Sequence, residues 1–376
     1  SRGLGDVYKR QAAEHQMLKE VCGAFKRVAV LLNVGNIIDM KWVKEYDPAA
    51  VLYVWQGGQE GGAGAADVLT GTVTPCGKLS DTIALDISDY PSTEGFGDPT
   101  RVIYKEDIYV GYRYFETFAK DCVLYPFGYG LSYTTFTRTV ESFDFDGETV
   151  TEKVTVKNTG DVQGKEVVTV FVEAPQGKLG KPARELAAFK KTKLLSPGES
   201  ESLALSFDIS DMASFDDLGK IKKSAFVLEK GAYSFHLGSS VRATEKLKYE
   251  FVLNNDIIIK ESKSLCRPTK LEKRLLSDGS FESLPTDEPV RSRGTHAEIE
   301  AKAPAETVKF DEVGETITLD EFIKQFTVDE LIDFVGGHQN QPGVCNTGAF
   351  GGMRRLNVCL LYTSPSPRDR SVSRMP

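Results

Sequence analysis

RVAVLLNV at Arg27–Val34, followed by AAVLYVW at Ala49–Trp55, decides how the first part of this chain folds. Both runs are short, almost uninterruptedly apolar and rich in β-branched residues. Strands that alternate apolar and polar cover one face of a sheet, whereas runs like these fit parallel strands buried on both faces. Ala13–Phe25 has helical apolar spacing ahead of them. GGAGAADVL at Gly61–Leu69 starts a second helix, its small residues letting helix and sheet backbones approach closely. TPCGKL at Thr74–Leu79 reads as a turn, and the polar stretch Tyr90–Asp107 as a surface loop. Residues 12–136 are therefore expected to be α/β: part of an α/β sandwich domain with a largely parallel sheet.

The pattern changes after Phe136. Ser142–Phe145, Thr151–Val156, Glu166–Glu173, Ser202–Asp208 and Tyr233–Leu237 are short segments with alternating apolar positions. Asn158-Thr159-Gly160, Pro197-Gly198 and Lys230-Gly231 punctuate them as turns. Repeated short strands between turn signals predict an all-β antiparallel sandwich over 137–253. Its core is expected from Val154, Val156, Val168, Val170, Leu203, Leu205, Phe207, Phe235 and Leu237, which must share one face.

Residues 254–307 are charged and mixed, with Pro268, Pro285, Pro289 and Pro304, and read as a linker. Beyond them, Thr318-Leu-Asp-Glu321 and Thr327-Val-Asp-Glu330 each fit the capping-box pattern. Short helices are expected at Asp320–Gln325 and Val328–Val335, giving a short helical piece over 308–358.

The two ends are related in an unusual way. SRGLGDVYKRQ at Ser1–Gln11 and CLLYTSPSPRD at Cys359–Asp369 can be encoded by opposite strands of one DNA stretch, read one base out of frame. They resemble a translated sequencing adapter flanking an insert. Residues 1–11 and 359–376 are accordingly expected to be foreign tails, and 12–358 a window of a longer protein.

Composition limits the classes that remain. The chain carries a formal charge of −8, and each tail has three basic residues and one acidic. Residues 12–358 then carry about −12, which argues against a nucleic-acid partner. No apolar run approaches the roughly 18 residues of a membrane span. Cys22, Cys76, Cys122, Cys266 and Cys345 are scattered, without a CxxC pair, so reduced thiols and no metal site are expected. Their scatter favours a cytoplasmic location, which the sequence otherwise leaves unknown. The Gly-rich run GGQEGGAG at Gly57–Gly64 follows a strand and precedes a helix. It lacks the third glycine of a dinucleotide fingerprint and the Lys-Ser/Thr of a phosphate-binding loop, so tight turning explains it.

Five blocks taken together are more specific. VAVLLNVGNIID (Val28–Asp39), AVLYVWQGGQEGGAGAADVL (Ala50–Leu69), TVTPCGKL (Thr72–Leu79), YVGYRYF (Tyr109–Phe115) and YPFGYGLSYTTF (Tyr125–Phe136) resemble, in order and spacing, the C-terminal half of glycoside hydrolase family three, above all its β-glucosidases. VTVKNTGDVQG (Val154–Gly164) and RELAAFKKTK (Arg184–Lys193) resemble the fibronectin type III-like domain that follows it there. Phe326–Asn357, with FTVDELIDFVGGHQ and GGMRRLN, resembles the start of the family's barrel domain. The resemblance thus implies a permuted order: α/β domain, fibronectin-like domain, barrel.

What it implies about chemistry is a retaining exo-glycosidase acting on terminal, non-reducing β-linked sugars, with β-xylosidase and β-N-acetylglucosaminidase as alternatives inside the family. Such enzymes use two carboxyl groups about 5–5.5 Å apart, one a nucleophile and one an acid/base. The family's nucleophile is an Asp late in the barrel, and its acid/base a Glu in a loop before the strand matched by Arg27–Val34. Neither has a counterpart in this sequence, where only Glu14 and Glu20 precede that strand, both in a helical pattern. No catalytic residue is therefore assigned, and the polypeptide itself is expected to be inactive. Hydrolysis by two carboxylates needs no metal or cofactor, and none is implied.

Weaker candidates for substrate binding or a domain interface remain. Glu60 stands at the C-terminal end of the second strand, where α/β proteins often place ligand sites. A helix N-terminal Glu favoured by the dipole reads equally well. Trp55 and Gln59 line the interface with the barrel or simply pack, and Arg354 and Arg355 approach the sugar or are solvated. The implied partners are carbohydrate and the absent part of the barrel. The competing class is a non-catalytic carbohydrate-binding or structural β-sandwich module. That class calls for a row of exposed aromatics, and the only tyrosines within 137–253 are Tyr233 and Tyr249.

Overall fold

A computed structural model describes residues 12–96, 98, 103–104, 106–263, 272–284, 307–314, 317–336, 349–350, 356, 358 and 361–362. The chain divides into two units, Ser1–Arg291 and Ser292–Pro376. The first opens with helix α1 (Ala12–Ala24), strand β1 (Ala29–Leu32), the short helix α2 (Trp42–Tyr46), β2 (Ala50–Tyr53) and helix α3 (Gly61–Thr70). β1 and β2 pair in parallel, with Ala29 opposite Ala50 and Leu32 opposite Tyr53. Leu18, Leu32, Ile38, Met40, Trp42 and Ile83 form the buried core around them.

The expected largely parallel sheet is not what forms. β1 and β2 make a two-stranded sheet of their own, and β3 (Ile83–Ala84) pairs antiparallel with β4 (Val123–Tyr125), after helix α4 (Tyr112–Phe118). The reason is local. An apolar run is buried on both faces only when layers cover both, and here Leu31 on β1 stays 44% exposed. Among the described residues, most strand pairing is antiparallel.

The sandwich follows at Phe136. Its strands are β5 (Phe136–Phe145), β6 (Thr149–Asn158), β7 (Val167–Glu173), β8 (Glu185–Lys191), β9 (Ser200–Asp208), β10 (Ser214–Asp216), β11 (Ala225–Leu228), β12 (Gly231–Gly238) and β13 (Thr244–Leu253). One sheet runs β5-β6-β9 and the facing one β13-β12-β7-β8. All nine residues expected in the core lie in it, joined by Val150, Val172, Leu195, Leu228 and Tyr233. β9 alternates cleanly, with Leu203, Leu205 and Phe207 buried and their neighbours not. β7 and β12 do not alternate, because the second face of their sheet is covered too. Phe171 on that face is fully buried against the rings of Tyr112 and Phe127.

This seam fixes the α/β part on the sandwich. Arg242 Nε donates to Glu116 Oε1 at 2.8 Å, and the Leu186 amide donates to the Tyr112 hydroxyl at 2.8 Å. Gly128, at φ 81°, passes so close that a Cβ there would lie 2.8 Å from Ser240 Cα, so the position needs glycine for space as well as backbone sign.

The stretch expected to be a linker is largely structured where it is described. β14 (Ile257–Glu261) extends the β10-β11 sheet, and β15 (Lys273–Leu275) and β16 (Phe281–Ser283) form a hairpin within the first unit. Proline and charge suggested a linker, but alternate positions of the hairpin find partners: Arg274 meets Asp217 and Glu282.

The second unit holds helices α5 (Leu319–Ile323) and α6 (Val328–Gly336). Both predicted capping boxes form. Thr318 Oγ1 accepts from the Glu321 amide while Glu321 Oε2 accepts from the Thr318 amide, and Thr327 and Glu330 repeat the exchange. Phe322, Phe326 and Leu356 make its small core. The expected tail 1–11 lies outside the described residues. In 359–376, Leu361–Tyr362 (β18) pairs with Ala349–Phe350 (β17).

Candidate functional site

The C-terminal ends of β1 and β2 bring two loops side by side. Tyr53 Oη donates to the Asn36 carbonyl at 2.6 Å, across from the end of β1. A Cβ on Gly35 would lie 2.6 Å from Gln56 Nε2, the far end of a flexible side chain, so the two loops are adjacent there. Gly57 is tight against backbone, its Cβ position falling 2.8 Å from Gly61 Cα where α3 begins. Gly57 thus serves the turn into the helix, whereas Gly58, Gly61, Gly62 and Gly64 have open space at the Cβ position and α3 buries no residue, so the close helix–sheet approach expected of its small residues is not seen.

Trp55 takes the sharpest position. Its backbone lies in the left-handed region at φ 59°, a conformation that is strained for a bulky residue. Its ring packs half-buried against Tyr53, with centroids 4.5 Å apart. Gln59 and Glu60 follow and are exposed. Glu60 is the N-cap residue of α3 but makes no capping hydrogen bond with its side chain. The structure therefore brings Trp55, Gln59 and Glu60 to one loop at the strand ends, where open α/β sheets bind ligands. The sequence carried no sign of the Trp55 backbone, because a left-handed tryptophan has no composition signature.

Arg354 and Arg355 lie outside the described residues. Glu14 and Glu20 are on exposed positions of α1, consistent with their helical spacing. Among the described residues, no group of three or more His, Cys, Asp or Glu side chains gathers to hold a metal. Cys22, Cys76 and Cys122 are free thiols. A cleft of about 280 Å³ lies elsewhere, lined by Asp81, Thr82, Tyr112, Arg113 and Phe127, and involves none of the candidate residues. Of the sandwich tyrosines, Tyr233 is fully buried, and Tyr249 is half-buried and stacks on Phe143 with planes 5° apart.

Comparison with known proteins puts names on both domains. Residues 6–133 match the glycosyl hydrolase family 3 C-terminal domain, and residues 166–241 a fibronectin type III-like domain. Beta-glucosidase A of Butyrivibrio fibrisolvens is 50% identical over 310 residues, 77% of this chain and 37% of that protein. A β-glucosidase structure from Paenibacillus barengoltzii superposes with a TM-score of 0.76 at 41% identity, over 93% of this chain and 41% of that one. Beta-glucosidase 3B of Thermotoga neapolitana, solved with α-D-glucose, gives a TM-score of 0.61 at 42% identity, over 66% of this chain and 35% of that one. The chain thus spans well under half the length of each of these relatives. With the C-terminal domain and the fibronectin type III-like domain present in that order, the chain belongs to glycosyl hydrolase family 3.

Proposed function

We propose that the chain is part of a retaining, exo-acting β-glucosidase-like hydrolase that cleaves terminal, non-reducing β-linked sugars, and that the 376-residue polypeptide does not itself turn over substrate. The observation that carries the reading is the identity with Beta-glucosidase A, 50% across both domains. The geometry agrees with an accessory role. Retaining hydrolysis by two carboxylates needs a pair about 5–5.5 Å apart, and the candidate loop holds one exposed carboxylate, Glu60. Trp55, Gln59 and Glu60 form an edge suited to closing a sugar site that a neighbouring barrel completes, rather than a site of their own.

Residues 308–358 are read as the beginning of that barrel, in permuted order. The Paenibacillus match supports this, because an alignment over 93% of the chain has to run past Arg291 into the second unit. The partners are then carbohydrate and the remainder of the barrel. The test is to join this chain to a complete barrel and to the acid/base loop expected before Arg27–Val34. Hydrolysis of a chromogenic β-glucoside should appear, and replacing the barrel's Asp nucleophile by Asn should abolish it. A joined protein that folds, binds glucose and still leaves the glucoside intact would contradict the assignment.

A further inference from the structure

The hairpin β15–β16 makes more directional contacts than a connecting segment requires. Its turn is well specified: Gly279 is at φ 84°, Asp278 Oδ1 accepts from the Ser280 amide at 2.9 Å, and the Leu276 amide donates to the Ser280 carbonyl at 2.9 Å. The Leu284 amide closes the other end on the Glu272 carbonyl at 2.8 Å.

On one side the hairpin grips the sandwich. Arg274 Nη1 donates to Asp217 Oδ1 at 2.6 Å, and Arg274 Nε to Glu282 Oε1 at 2.7 Å. Lys220 Nζ reaches Glu282 Oε1 at 3.0 Å. The turn that supplies Asp217 and Lys220 is itself rigid. Asp216, 1% exposed, accepts from the amides of Gly219, Lys220, Ile221 and Lys222 at 2.7–3.0 Å.

On the other side it meets the loop that leads into α4. The fully buried Tyr109 packs its ring on Phe118 at 4.8 Å, and a Cβ on Gly279 of the hairpin turn would lie 3.9 Å from Phe118 Cδ1. Asp107 is exposed, with a left-handed backbone at φ 49°; desolvation raises its carboxyl pKa and the Arg274 guanidinium offsets part of that. Gly180 (φ 70°) of the sandwich closes the third side, where a Cβ would lie 3.5 Å from Tyr109 Oη and 3.6 Å from Ser277 Oγ. Two cations, Arg274 and Lys220, thus meet two carboxylates, Asp217 and Glu282, with the guanidinium bridging the two acids.

We propose that this hairpin is a clasp, locking the Glu106–Gly111 loop of the α/β part onto the 216–222 turn of the sandwich. β14 (Ile257–Glu261) still pairs with β11 of the sandwich, and the clasp then joins the sandwich turn to the α/β part.

Amide hydrogen exchange on the 376-residue chain tests the clasp without any reference to activity, so failure of the glycosidase reading cannot be mistaken for failure of this one. The Tyr109 amide, bonded to the Glu106 carbonyl, and the amides of Gly219–Lys222 are the reporters. In Arg274→Met both sets should exchange at least about ten-fold faster, with β6 and β9 amides unchanged. Glu282→Gln, which keeps the side chain's shape and removes only its charge, should accelerate both sets to a smaller extent. Unchanged exchange at Tyr109 in both variants, with protection lost only inside the hairpin, would make the hairpin an appendage and overturn the proposal.

Discussion

Glu229→Ala should destabilise the first unit by about 3–5 kcal/mol, the largest single-residue effect expected here. Lys181 and Glu229 form an ion pair whose side chains are 1% and 4% exposed. Glu229 Oε1 also accepts from the Lys178 amide at 2.6 Å, and Oε2 from the Leu179 amide at 3.3 Å, in addition to the Lys181 ammonium. One carboxylate therefore organises the whole 177–181 loop. Truncating it leaves an ammonium buried without its counter-ion and two amides without an acceptor. For a unit of this size the loss corresponds to a fall in Tm of roughly 10 °C. The double variant Lys181→Met/Glu229→Leu removes the buried charge together with its partner and should recover much of the loss. A single variant within about 1 kcal/mol of the parent would show that the pair is solvated in solution.

The second large effect is a stability that falls as pH rises. Glu152 on β6 points into the sandwich core between Val150 and Val154, fully buried, and neither carboxylate oxygen has a hydrogen-bond partner. Burial pushes its pKa up to about 7. Below the ordinary carboxyl range both folded and unfolded chains hold the proton, so the residue adds no pH dependence there. Between the unfolded value of 4.5 and about 7 the unfolded chain releases it and the folded chain keeps it, so stability declines across that window. Above it the cost levels off at about 3 kcal/mol. Glu152→Gln removes the titration. The variant should gain on the parent by about that amount at pH 8, and the gain should vanish near pH 4. Urea midpoints of both proteins at the two pH values decide it, and a gap independent of pH would contradict the buried, unpartnered carboxyl.

These same residues show where the sequence was legible. Alternation identified Val154, Val156, Leu203, Leu205 and Phe207 as core, because period-two burial leaves its mark wherever one face is wet. Glu152, two residues from Val154, shares that face but was not among the residues expected there. Thr318–Glu321 and Thr327–Glu330 were readable because a capping box is local chemistry. The hairpin was missed although Asp278-Gly279 is a turn signal, since charge and proline dominate 254–307 and the partners of Arg274 lie far away in sequence. Apolar runs announced β1 and β2 but not how many strands would join them, which is a property of neighbours rather than of the runs. At the candidate loop the sequence supplied Trp55, Gln59 and Glu60, and the geometry added the left-handed turn that aims them.

The central claim, that this polypeptide holds the accessory domains of a β-glucosidase-like enzyme and not its catalytic carboxylates, is tested most directly by assaying the 376-residue chain with a chromogenic β-glucoside. With the sugar-binding barrel and both catalytic groups expected outside it, release of chromophore should equal the buffer background, and Glu60→Gln should change nothing. Hydrolysis above background that disappears in Glu60→Gln would make Glu60 catalytic and contradict the account.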